Sequence, residues 1–185
     1  MVVARQPASR VDLRPLQETD ASRIRRWMAD LELLRFTVQV PGADYLPVRP
    51  YLPAEADRYL HEMRTAPGRQ AFAIELDGQH VGNTGLKNID LKRRVAECFI
   101  EIGEPWARGQ GVGHRAMQKL MAVAFDELGL EVLWLGVFEF NLPAIRLYQR
   151  LGFQPGPLYG EHHVAGEVHQ VLGMWFRRRG RPRRS

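Results

Sequence analysis

Cysteine is almost absent: Cys98 is the only one in 185 residues. One thiol excludes an internal disulfide and a multi-cysteine metal site. No apolar run is long enough to span a bilayer. The opening, MVVARQPASR, has no apolar stretch of signal-peptide length, so a cytoplasmic location is expected. No internal repeat or composition shift marks a second domain. His162, His163 and His169 lack cysteine partners and a recognisable ligand spacing, so no metal is expected. They are read as lining an acceptor pocket on a closing hairpin.

Positive charge is less abundant than the net +5 suggests. The last nine residues, RRRGRPRRS, hold six arginines, and without them 20 basic residues face 21 acidic ones. The basic character therefore belongs to residues 177–185, read as a disordered tail, and not to a folded unit over 1–176. Contact of this tail with nucleic acid or a ribosome is the disfavoured alternative.

Between these limits the chain alternates strand and helix signals. VDLRPL (11–16) reads as a strand, and TDASRIRRWMAD (19–30) as a helix opened by cap-type residues, with Ala21, Ile24, Trp27 and Met28 at helical spacing. Residues 37–53 hold four prolines and a glycine and read as a long loop over a substrate pocket. A second helix is expected from about Ala54 to before Pro67. Strands follow at 70–76, 80–86 and 95–103, the first two joined by a turn at Asp77-Gly78. A helix with Met117, Leu120, Met121, Ala124, Phe125 and Leu128 on one face comes next. EVLWLGVF (131–138) reads as a strand buried on both faces. A short helix from Asn141 to Leu151 stops at Gly152, and a final strand occupies 168–176.

The segment WARGQGVGHRAM (106–117) enters its helix through glycines at 109, 111 and 113. Glycine turns of this kind expose backbone N–H groups to anions at a helix N-terminus. No Ser, Thr, Asp or Asn caps the helix, and His114 and Arg115 oppose its dipole. A ligand anion would supply the missing partner. A dinucleotide fingerprint, G-x-G-x-x-G, fails at its third position, which is His114, and follows about the fourth strand instead of the first. Glu139 could imitate the ribose-binding acid of that fingerprint, but the oxidoreductase reading is weak.

Arg108-Gly109-Gln110-Gly111-Val112-Gly113 resembles the pyrophosphate loop of the GNAT (GCN5-related) N-acetyltransferases, Arg/Gln-x-x-Gly-x-Gly/Ala. Twenty-eight residues beyond Gly113 begins NLPAIRLYQRLGF (141–153), which resembles the second GNAT signature, N-x-x-A-x-x-x-Y-x-x-x-G-F, at every fixed position. A capped helix accounts for Asn141, Ala144 and Gly152 without catalysis, but not for a tyrosine on the inner stripe at 148. VDLRPLQETDASRIRRW, RRVAECFIEIGEPWARGQGVG and GEVHQVLGMWF are similar to the ribosomal-protein and polyamine branch, bacterial spermidine N-acetyltransferases in particular. The likeness covers residues 11–176.

That resemblance implies an α/β (α+β) GNAT fold: a mixed, mostly antiparallel twisted sheet of six to seven strands, strands 4 and 5 splayed, with about four helices. It implies acetyl-CoA as cofactor, wedged between the splayed strands, and a primary amine that attacks its thioester directly. The acyl-CoA contacts carried over are Ile102, Gly103, Arg108, Gly109, Gln110, Gly111, Val112, Gly113, His114, Asn141 and Tyr148. A backbone N–H near Ile102–Gly103 would meet the oxyanion, and Tyr148 would protonate the leaving thiolate. A base must deprotonate the amine, whose pKa is about 10. Strand alternation puts Glu97 and Glu101 on one face and Cys98 on the other. The two acids are ~13 Å apart, so at most one is the base; the resemblance favours Glu97, with Glu101 second. Cys98 reads as a buried small residue.

The acceptor side is less marked. Residues 30–62 carry a net charge of −3, which favours a small cationic amine such as a polyamine. A protein N-terminus, an aminoglycoside-type antibiotic and a non-catalytic CoA-binding module are the alternatives. A homodimer or larger assembly and no membrane partner are expected.

Overall fold

The computed structural model describes residues 9–36, 49–164 and 167–178. Most of the expected pocket loop, and the tail beyond Arg178, lie outside the described residues. The elements are β1 (Val11–Pro15), α1 (Ala21–Trp27), α2 (Leu31–Leu34), α3 (Pro53–Thr65), β2 (Gln70–Leu76), β3 (Gln79–Asp90), β4 (Val95–Ile102), α4 (Val112–Ala122), β5 (Val132–Phe138), α5 (Leu142–Leu151), β6 (Gln154–Val164) and β7 (Glu167–Arg177). The strands form one sheet in the order β1-β2-β3-β4-β5-β7-β6. Every neighbouring pair is antiparallel except β4 and β5, which α4 joins as a crossover. The expected mixed, mostly antiparallel α/β fold is present.

Apolar periodicity chose the faces correctly. Ile24, Trp27 and Met28 of α1 join Leu60 and Met63 of α3 in a core against Ala73, covering one face of the sheet. Met117 and Leu120 of α4 and Tyr148 of α5 pack with Cys98, Leu133 and Leu135 on the other. In β3 the run His80 to Leu86 is buried throughout, as a central strand between two layers requires. Several elements differ from the sequence reading: a separate α2 follows α1, and the helix of α4 widens over Val123–Glu127. β3 continues to Asp90, paired with Val95, past the point where its apolar pattern ends. β6 was not assigned, because Pro155, Gly156 and Pro157 obscure it; at the sheet edge proline loses no ladder bond, and the register shifts there.

One irregularity positions the site. β4 and β5 pair only at Val95↔Val132, Ala96↔Leu133 and Glu97↔Trp134. Past that point β4 stays with β3 as far as Ile102, and β5 stays with β7 as far as Phe138. A wedge therefore opens between 98–102 and 135–138, with strand edges free to pair with an extended ligand.

Candidate active site

The glycine turn stands at the mouth of this wedge. Gly109 and Gly111 have φ of 75° and 72°, the left-handed region glycine enters without penalty. A Cβ at either would meet no protein atom within 4 Å, so the turn is shaped by backbone and not by packing. Gly111 is the N-cap of α4 and supplies no side chain to the first N–H groups, those of Val112, Gly113 and His114. Free N–H groups on an open, glycine-lined turn fit a pyrophosphate.

Arg108 latches the turn to the end of β4: its Nε donates to the Ile102 carbonyl at 2.9 Å and its Nη2 to that of Gly103 at 3.2 Å. Gln110 Nε2 donates to the Trp106 carbonyl at 2.5 Å. His114 turns along the flank of α4, where it borders a groove of about 400 Å³ with Gln118, Met121 and Arg150. Gly103 itself is demanded by packing, since a Cβ there would come within 2.1 Å of Trp27 Cδ2.

On the α5 side, Asn141 Oδ1 accepts from the Ala144 N–H at 3.3 Å, capping the helix and leaving its amide nitrogen for other work. Tyr148 is buried beside Phe153, ring centroids 5.8 Å apart, in the cluster that includes Cys98. Burial, then the neighbouring Cys98, pushes its phenol well above the ordinary value, so it stays protonated. Burial first and the charge of Glu97 second push the Cys98 thiol up as well, which makes it a poor nucleophile.

The two candidate acids have different surroundings. Glu97 is buried; its Oε1 lies 2.8 Å from Lys87 Nζ and its Oε2 accepts from Asn88 Nδ2 at 2.8 Å. Glu101 sits deep in the fold with part of its surface open to solvent. It accepts one hydrogen bond, from Asn83 Nδ2 at 2.7 Å, and no cation pairs with it among the described residues. Burial raises its pKa above the usual carboxylate range, and the Asn83 bond opposes this only in part. Tyr51 and Tyr59 pack with Phe99 of the same strand against the α1–α3 core, and the charge of Glu101 helps to raise both phenols after burial.

Among the described residues, three of the acids in residues 30–62 are paired, and only Arg25 brings a cation from outside the segment, so the segment stays acidic. Glu55 binds Arg49 at 2.7 Å, Asp57 binds Arg25 at 2.6 Å and Glu32 binds Arg35 at 3.2 Å. Glu139 faces His169, Oε1 to Nδ1 3.0 Å, and the imidazole stands edge-on to Phe140 at 4.7 Å. The side chains of His162 and His163 lie outside the described residues.

Sequence reading missed a set of buried polar residues behind Glu101. Asn83 Oδ1 lies 2.9 Å from His80 Nε2, and His80 Nδ1 lies 3.1 Å from Asp20 Oδ1. Arg14 grips both oxygens of Asp20 at 2.8 Å. Asp20 looked like a helix cap; its carboxylate is engaged here instead. The available signal was HVGNTGL itself, a strand in which His80 and the strand-disfavoured Asn83 are polar.

Known proteins agree with this geometry. The acetyltransferase (GNAT) domain family matches residues 10–154. Spermidine N(1)-acetyltransferase of Escherichia coli K12 is 28% identical over 168 residues, covering 90% of this chain and 86% of its own. The L-amino acid N-acetyltransferase of the same strain is 28% identical over 149 residues, 79% and 84% of the two chains. Among solved structures, spermidine N-acetyltransferase from Vibrio cholerae, in complex with CoA and spermine, superposes with a TM-score of 0.78 at 22% identity, covering 90% of this chain and 95% of that one. Wedge, glycine turn and family match together make this chain a member of the GNAT family, an acetyl-CoA-dependent N-acetyltransferase.

Proposed function

We propose that the enzyme acetylates a small cationic amine, a polyamine being the leading candidate, with Glu101 as the base and Tyr148 as the acid. The observation that carries this is Glu101: a solvent-reachable carboxylate beside the wedge with no cation paired to it among the described residues, unlike Glu97. An ammonium group reaching it finds a carboxylate that pairs with no cation among the described residues. The relatives named for spermidine support the same class of acceptor.

Acetyl-CoA supplies the acetyl group on a thioester. Gly109 to Gly113 and the N-terminus of α4 bind the pyrophosphate, and the free edges of β4 and β5 accept the extended arm. Asn141 offers its amide to that arm. Glu101 takes a proton from the ammonium, directly or through water, and frees the nitrogen lone pair for attack. The backbone near Ile102–Gly103 receives the charge that develops on the carbonyl oxygen. Tyr148 returns a proton to the departing sulfur. The net change is one N–C bond formed, one C–S bond broken and one proton released. Residues 1–176 act as a single GNAT domain, working as a homo-oligomer, with the arginine-rich residues 177–185 as its tail.

Thiol release from acetyl-CoA, with spermidine, spermine, an N-terminal ribosomal peptide, amino acids and an aminoglycoside as acceptors, tests the assignment. Turnover is expected to be greatest with the polyamines. Preference for the peptide or the aminoglycoside would replace the acceptor class, and no turnover with any amine would leave only a CoA-binding module.

A further inference from the structure

Asn83 and His80 stand three residues apart on β3, a spacing that puts side chains on opposite faces of a regular strand. They meet because β3 carries a bulge. Ile74 pairs with Gly82 and Glu75 with His80, so Val81 is an extra residue that turns His80 onto the Asn83 face. Asn83 in turn stands directly across the ladder from Glu101. Asn83 is 1% exposed and His80 3% exposed, with Trp27 edge-on to the imidazole at 4.9 Å. Two polar side chains so deeply buried cost stability unless they are bonded.

The bonding has a definite sense. An amide has one donor end and one acceptor end. A carboxylate at Glu101 requires the donor end, Nδ2, which leaves Oδ1 facing His80 Nε2. His80 then donates from Nε2 to that oxygen, while its Nδ1 lies 3.1 Å from Asp20 Oδ1. Reversing the amide would set Oδ1 against the carboxylate.

We propose that Asn83 positions Glu101 as the acceptor-side base, and that His80, placed by the bulge, fixes which way round the Asn83 amide stands. Both are positioning residues: neither touches the reacting atoms. Arg14 and Asp20 back them from β1 and the turn before α1, and the charge of Arg23 also bears on His80. Toward Glu101 the bonded group is Asn83, and Tyr51 and Tyr59 are the titratable groups that its charge reaches. Burial lowers the pKa of His80, in keeping with a neutral ring, while the Asn83 bond restrains the rise at Glu101.

This inference rests on Glu101 as the base, and its test separates the two. Asn83→Leu keeps the volume and removes the donor. It is expected to move the acidic limb of kcat/KM, and the carboxyl carbon-13 titration of Glu101, upward by about one pH unit or more, with activity recovering at high pH. His80→Leu should shift both in the same direction, and His80→Gln, which keeps an N–H donor, should restore them. The NMR titration needs no acceptor, and the His80 pair decides the matter if Asn83→Leu does not fold. A Glu101 titration unmoved in Asn83→Leu, or moved equally in both His80 variants, overturns the inference. Full activity in Glu101→Gln overturns the base assignment itself, whatever the titrations give.

Discussion

Lys87 and Glu97 face each other across β3 and β4, with Nζ 2.8 Å from Oε1, while Asn88 holds the other carboxylate oxygen at 2.8 Å. Both oxygens of Glu97 are engaged. Four residues along the same strand, Glu101 has one amide partner and no cation among the described residues. Glu97→Gln should therefore lower stability by about 1 kcal/mol, given the partly exposed lysine, and leave kcat within about two-fold. Glu101→Gln should lower kcat ten-fold or more. Thermal denaturation and steady-state kinetics of the pair decide the order; the reverse result would return the base to Glu97.

Tyr148→Phe removes a hydroxyl that makes no hydrogen bond among the described residues and leaves the contact with Phe153 intact. Stability should hardly change. As the acid, Tyr148 should be worth at least ten-fold in kcat, while acetyl-CoA binding by calorimetry stays the same. An unchanged kcat removes it from the reaction.

Gly111→Ala places a methyl group in open space but in the left-handed region, which costs about 1–2 kcal/mol. If the turn cradles a pyrophosphate, acetyl-CoA affinity should also fall by about ten-fold, because the methyl group keeps phosphate oxygens off the N–H groups. Titration calorimetry reads this, and loss of stability with unaltered affinity would move the phosphate elsewhere.

Gly103→Ala drives a Cβ into the ring of Trp27, 2.1 Å from Cδ2. Trp27 also donates to Glu104 at 3.2 Å and covers His80 edge-on, so it cannot retreat freely. A stability loss of about 1–3 kcal/mol is expected, with altered tryptophan fluorescence. An unchanged melting temperature would mean that Trp27 is not held as described.

Stability should fall in two stages as pH drops. His80 is held neutral by burial, its folded pKa below the ordinary 6.5, so the unfolded chain binds the extra proton and stability declines below about pH 6.5. For Asp20, burial works upward, but the Arg14 bonds and the Gln17 N–H outweigh it and the net pKa is lowered. Glu55 is lowered to about 2, chiefly by Arg49 and the Leu52 N–H. For these carboxylates the stabilisation is present above their ordinary values near 4 and is lost on the way down toward pH 2. Melting temperature against pH should show both stages, and His80→Gln should abolish the first alone.

Much of this was legible in the chain. Periodicity located α1, α3, α4 and α5 and the inner strands, because an apolar stripe has one way to face a sheet. The spacing of Gly109, Gly111 and Gly113 ahead of a capless basic helix announced an anion site, since backbone geometry and dipole are local properties. Alternation on β4 separated Cys98 from the two glutamates. The choice between those glutamates was not legible, because it turns on Lys87, Asn88 and Asn83, which belong to another strand.

The sequence by itself determined the family, carried by contiguous motifs. Tertiary structure alone decided which of the two strand acids pairs with a cation among the described residues. The bulge at Val81, the register of β3 against β4 and the burial of Arg14, Asp20 and His80 bring distant residues into one line. No local pattern encodes that line, because cross-strand partners are set by how the sheet pairs and not by neighbours along the chain.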